Sequence, residues 1–167
     1  MASRKVKTPD KSAVRDALLV ELRRLHATMV GAVMQTQEGV THEDARSEGS
    51  KDMRSTEQSY IARGQAMRAE DLAEQLQRFE TTPLRTYAPS DPISVGALVH
   101  VLIDDETRWF FVAAQGGGAV LQVGGAEITV VTPVSPVGAL LCGRASGESF
   151  ERVVRGKESE WVIELVC

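Results

Sequence analysis

"VSPVGALLCGRASGESF", residues 134–150, holds the start and stop signals of one short helix inside an otherwise strand-like region. Ser135 is of the type that caps a helix N-terminus, and Pro136 suits the first helical position, where a missing N–H costs nothing. Leu140 and Leu141 give the segment an apolar side, and Gly143 can take the left-handed conformation that ends a helix. Around it lie short apolar blocks with period-two patterning: "ALVHVLI", "RWFFVAA", "AVLQV", "EITVV", "SFERVV" and "EWVIELV". Turn material bounds them: "DDET", "QGGG", "GG" and "RGKES". This pattern predicts a small antiparallel sheet carrying one short helix, an α+β domain over residues 95–167.

Upstream of that domain the period changes. "LRTYAPSDPISVG" contains Pro89 and Pro92 and reads as an extended linker, residues 83–94. Before it the chain is helical. Leu18, Leu22, Leu25, Met29 and Ala32 step 4-3-4-3, the seam spacing of paired helices, with Ser12 as the expected N-cap. A second seam, Ala62, Ala66, Ala69, Ala73 and Leu76, has the same spacing. Tyr60, Ile61, Met67, Leu72 and Phe79 flank it, and Pro83 stops the run. Leu and Met facing Ala lets two axes approach closely. The polar bend between the helices makes them an antiparallel hairpin. The expected layout is a flexible basic N-terminus (1–11), a coiled-coil arm (12–82) with its tip near 47–53, the linker, and the α+β head. At 1.5 Å per residue the arm would reach about 45 Å.

Charge follows this division. Of 19 basic and 23 acidic groups, residues 1–92 carry 14 of each, so the net −4 belongs to the remainder. Within the helical half, residues 1–24 hold 7 basic and 3 acidic groups, and residues 38–57 hold 3 and 6. The arm is basic at its root and acidic at its bend. A net negative chain is not built to coat nucleic acid, whose affinity comes from neutralised phosphates. No window has the length of a membrane span, and "MASRKVKTPDKS" lacks an apolar signal core. Cys142 and Cys167 form no CxxC pair, so a reducing cytoplasm is the expected location. His26, His42 and His100 are too scattered for a metal cluster, and no catalytic or metal site is expected. "AAQGGGAVLQVGG" lacks the Lys-Ser/Thr of a phosphate loop and reads as a hairpin connection. Cys142 has no neighbouring His and reads as core.

Three stretches carry a resemblance: "EDARSEG" (43–49), "EQSYIARGQAM" (57–67) and "VSPVGALLCGRASGESF". Together they resemble the Gre transcript-cleavage and elongation factors of bacterial RNA polymerase (GreA/GreB). In the last stretch Ser135, Pro136, Val137, Leu140, Leu141, Gly143, Arg144, Gly147 and Glu148 match the family pattern. The resemblance spans about residues 12–166 and implies a coiled-coil arm followed by an FKBP-like head. It also implies a partner, core RNA polymerase: the head docks on the rim of the secondary channel, with Ser135, Pro136, Gly143 and Arg144 as binding residues. The arm enters the channel, in indirect contact with transcript RNA. In active members tip carboxylates help hold a second magnesium ion, which belongs to the polymerase's own hydrolytic centre. The chain itself is then a monomeric factor with no cofactor of its own, not an enzyme.

The tip departs from that pattern. Where the family reads Gly-Asp-Leu-x-Glu-Asn, this chain has Gly49-Ser50-Lys51-Asp52-Met53-Arg54. A serine hydroxyl is a poor replacement for a carboxylate at a magnesium ion, and a thioether cannot usefully ligate a hard cation. The expected function is therefore polymerase binding and regulation of elongation without standard cleavage stimulation, with Glu48, Ser50, Asp52 and Met53 facing the active centre. The alternative keeps cleavage by using Asp52 and Glu48 as the metal-holding pair. A different class, a peptidyl-prolyl isomerase, would need an apolar pocket, for which the head offers Trp109, Phe110, Phe111, Phe150 and Trp161. A homo-oligomeric coiled coil is a fourth reading, made less necessary by the two complementary seams.

Overall fold

The computed structural model describes residues 7–44, 53–154 and 156–167, and at 37, 39–44, 53–56, 58 and 154 the backbone alone. Two long helices, α1 (Lys11–Asp44) and α2 (Met53–Thr81), precede six strands and a short helix. The strands are β1 (Leu98–Ile103), β2 (Glu106–Val112), β3 (Val120–Val123), β4 (Ala126–Val131), β5 (Ser149–Val154) and β6 (Lys157–Val166). Helix α3 (Pro136–Leu141) lies between β4 and β5. The chain divides into two compact units: Leu19–Thr82, and Met1–Leu18 together with Pro83–Cys167. Among the described residues no helix is long and apolar enough to cross a membrane.

In the helical unit, Arg23 near the start of α1 pairs with Glu80 near the end of α2 at 2.6 Å, so the helices run antiparallel. Small side chains line α2 as expected: Ala62 and Ala69 are buried with Leu72 and Leu76. The seam of α1 differs from the expected one. Leu19, Leu22 and Val33 are buried, His26 and Met29 are half-buried, and Leu25 and Ala32 are exposed. The inward series is thus 19-22-26-29-33, which keeps the heptad spacing but shifts its phase, accepting a histidine where the expected series took Leu25. Tyr60, Ile61 and Met67 do not flank the α2 seam either; Tyr60 is 73% exposed and the other two are also open to solvent.

The helix start is also corrected. The Asp10 carboxylate accepts the Ser12 backbone N–H at 3.1 Å, and the Asp10 carbonyl accepts from Val14 N at 3.0 Å. Asp10, not Ser12, is the cap, and its negative charge suits the positive end of the helix dipole.

In the other unit the six strands order as β3-β4-β2-β1-β6-β5. Every pairing is antiparallel except β2 with β4, which is parallel. That exception follows from the glycine-rich connection. Residues 113–119 carry the chain past β2's neighbouring slot to the sheet edge, where β3 runs back, and β4 fills the slot in β2's direction. Of the two glycine stretches in this region, only Gly124–Gly125 is a hairpin turn, with φ of 60° and 83°. Gly116–Gly118, expected in a hairpin as well, joins strands that are not neighbours.

Both faces of the central strands are apolar, which explains the near-continuous run "ALVHVLI". One face packs Val99, Val101, Phe110 and Ile163 with Leu141 of α3 and with Tyr87 and Ile93 of the 83–97 segment. On the other, Leu98, Trp109, Phe111, Ile128 and Val130 are buried. Val14 and Leu18, from the first turns of α1 that belong to this unit, have no exposed surface. Fully burying each such side chain is worth roughly 1.5–3 kcal/mol.

Candidate functional site

Residues 132–150 fold through their own polar groups. Ser135 has extended backbone (φ −70°, ψ 154°); its hydroxyl oxygen accepts from Gly138 N at 3.1 Å and donates to Thr132 O at 2.7 Å. Pro136 follows as the first helical residue. Cys142 closes the helix, and Gly143, at φ 86°, turns the chain so that its N–H donates to Ile93 O at 2.9 Å. Ile93 N in turn donates to Arg144 O at 2.7 Å. These two bonds clip the segment before β1 to the end of α3. The Arg144 guanidinium donates from Nε to Leu140 O at 2.8 Å, approaches Glu148 at 3.6 Å, and lies over the Phe150 ring at 4.3 Å.

Ser135 thus stands at the start of α3 and Gly143 and Arg144 follow its end, and the hydroxyl and the glycine serve the local fold. Around the start of α3 the exposed residues are Pro136, Ala139 and Val134, the last 92% exposed, and past its end Gly143 and residues 147–149 are exposed as well. Two positions were not singled out from sequence. Gly138 cannot carry a Cβ, which would sit 1.9 Å from Thr132 O. Arg152 lies over the Trp161 ring at 5.4 Å. Neither has a sequence signature, since both depend on what the fold brings alongside. At the other candidate site, Glu48, Ser50 and Asp52 lie outside the described residues. Met53 opens α2, and only its backbone is described.

His100 is the one buried polar side chain among the described residues of the core. Its Nδ1 lies 2.8 Å from Glu164 Oε2, its ring rests on Trp109 with centroids 4.4 Å apart, and its Nε2 is buried without a partner. Strand register skips Glu164 between the pairs Val101–Ile163 and His100–Leu165. This bulge aims the carboxylate at the imidazole. Burial pushes the His100 pKa below its usual 6.5, against the opposing pull of Glu164. A neutral ring donating from Nδ1 leaves Nε2 as a bare acceptor, consistent with its lack of a partner. Burial likewise raises the Cys142 and Cys167 thiol pKa values, which leaves neither sulfur activated. Among the described residues, no three His, Cys, Asp or Glu side chains gather as a metal site. Trp109, Phe110, Phe111 and Trp161 are buried in packing, and Phe150 is half-buried.

No family model matches the chain, and no curated protein matches it. Among solved structures it is similar to Gfh1 of Thermus aquaticus, at 14% identity and TM-score 0.39, over 90% of this chain and 94% of that one. It is also similar to GreA factor homolog 1 (Gfh1) of Thermus thermophilus, at 16% identity and TM-score 0.37, over 90% and 95%. A GreA/GreB elongation factor of Nitrosomonas europaea aligns at 19% identity and TM-score 0.37, over 59% of this chain and 77% of that one.

Proposed function

We propose that this chain is a Gre-like factor that binds core RNA polymerase at the secondary channel and regulates transcription elongation without standard transcript-cleavage stimulation. The observation that carries the reading is residues 134–150. Their resemblance to the Gre pattern coincides with a Ser-capped, Gly-closed helix in an α+β unit, and an antiparallel helical pair precedes it in the chain. The head would dock through the exposed surface beside Ser135, led by Val134 and Pro136, with Arg144 at its border. The helical pair would enter the channel and present Glu48, Ser50, Asp52 and Met53 to the active centre. In that place Ser50 and Met53 supply no carboxylate, so magnesium held by the polymerase gains little from this tip. The factor acts as a cytoplasmic monomer and performs no chemistry of its own.

The test is a stalled, backtracked polymerase complex incubated with the purified chain and magnesium. The reading predicts a changed elongation rate with transcripts kept at full length. Shortened transcripts that disappear with Asp52→Ala would establish the alternative, an active factor using Asp52 and Glu48. No change in either quantity at micromolar factor would end the polymerase reading. The isomerase alternative has no supporting observation: Trp109, Phe110, Phe111 and Trp161 are buried in packing, and Phe150 is half-buried against the core.

A further inference from the structure

The β5–β6 hairpin sorts its charges by face. Phe150 pairs with Trp161, Arg152 with Ser159, and Glu151 with Glu160. Trp161 belongs to the core cluster with Leu141, so alternation sends Phe150, Arg152, Lys157 and Ser159 to the α3 side. Glu151, Glu158 and Glu160 go to the reverse side. On the α3 side the Phe150 and Trp161 ring centroids are 5.7 Å apart, with Arg144 over the first ring at 4.3 Å and Arg152 over the second at 5.4 Å. Stacking occupies the flat face of a guanidinium and leaves its edge donors for a planar acceptor. Arg144 spends some of these donors on Leu140 and Glu148. Arg152 has no carboxylate within ion-pair distance among the described residues.

We propose that Arg144 and Arg152, seated on the Phe150–Trp161 ledge, form a docking surface for an acidic segment of a protein partner. Carboxylates of that segment would take the edge donors of the two guanidinium groups. Charge complementarity supports this occupant, because the ledge sets two arginines against one neighbouring carboxylate, Glu148, on a domain whose residues 93–167 hold 5 basic and 9 acidic groups. A nucleic-acid strand fits worse. Trp161 is only 5% exposed, so it offers no open face for base stacking. Arg144 also borders the surface proposed above for the polymerase, whereas Arg152 was given no part in it, so the test rests on Arg152.

The isotope-labelled full chain is titrated with a deca-glutamate peptide, and separately with a ten-nucleotide single-stranded RNA. The peptide should shift the Nε–H signals of Arg144 and Arg152 and the indole N–H of Trp161. Arg152→Gln should weaken its apparent affinity at least threefold, whereas Glu160→Gln on the reverse face should leave it unchanged or tighter. If Arg152→Gln does not fold, Arg152→Lys keeps the charge without the planar stack and should still weaken binding. Peptide binding indifferent to both Arg152 variants overturns the proposal, as does tighter binding of the RNA at the same signals. Neither probe contains polymerase, so failure of polymerase binding would leave this result intact.

Discussion

Gly138 is a tightly confined glycine of the head, and two opposed effects can be weighed there. Replacing a helical glycine by alanine gains up to about 1 kcal/mol of helix propensity. The added Cβ would stand 1.9 Å from Thr132 O and 2.7 Å from its carbonyl carbon, both backbone atoms that cannot swing aside. Overpacking of this kind costs about 1–3 kcal/mol or more, so the clash wins. Gly138→Ala should lower the stability read by denaturant unfolding by at least about 2 kcal/mol. Ser135→Ala should cost about 1 kcal/mol through the lost cap. Pro136→Ala, at an exposed position outside that network, is the cleaner probe of docking. His100 gives a pH-dependent prediction. Its folded pKa lies below the unfolded value, so the unfolded chain takes up the proton first. The stability it protects is whole above pH 6.5 and falls as pH drops toward its depressed folded value. Unfolding curves at pH 7.5 and 5.5 should show that loss, and His100→Gln should reduce it. Capping chemistry was legible here because it is local: Ser135, Pro136 and Gly143 act within a few residues. The Asp10 cap was missed because Ser12 offered an equally good signal two positions later. Arg152 was missed because its aromatic seat comes from the partner strand.

The elements show what pattern can and cannot fix. All six strand segments were readable from alternation, since each has one face or both against a core. Strand order was not, because nothing in residues 113–131 says that β4 and not β3 lies beside β2. The helical seams were legible in spacing but not in phase. Choosing Leu25 over His26 followed hydrophobicity, whereas the buried positions keep the series 19-22-26-29-33. Two glycines in the helices can be tested at this scale. Gly31 and Gly64 are exposed and have open space where a Cβ would go. Unlike Gly138, they meet nothing, so propensity decides the sign. Gly31→Ala and Gly64→Ala should each stabilise the helical unit by about 0.5–1 kcal/mol, seen as slower amide exchange along α1 and α2.

At the scale of the molecule, the chain couples an antiparallel helical pair to a six-stranded α+β domain. The proposed function asks the two units for different things. Substitutions at Val134 or Pro136 should weaken polymerase binding, while substitutions at Ser50 or Asp52 should change what happens to the transcript and leave binding in place. If both sets act on affinity alike, the division of labour is wrong. The most direct measurement is equilibrium binding of the fluorescently labelled full chain to core RNA polymerase. The account predicts saturable binding at or below micromolar polymerase, weakened at least fivefold by charged substitution at Val134. No binding in that range, with the labelled chain folded, would contradict it.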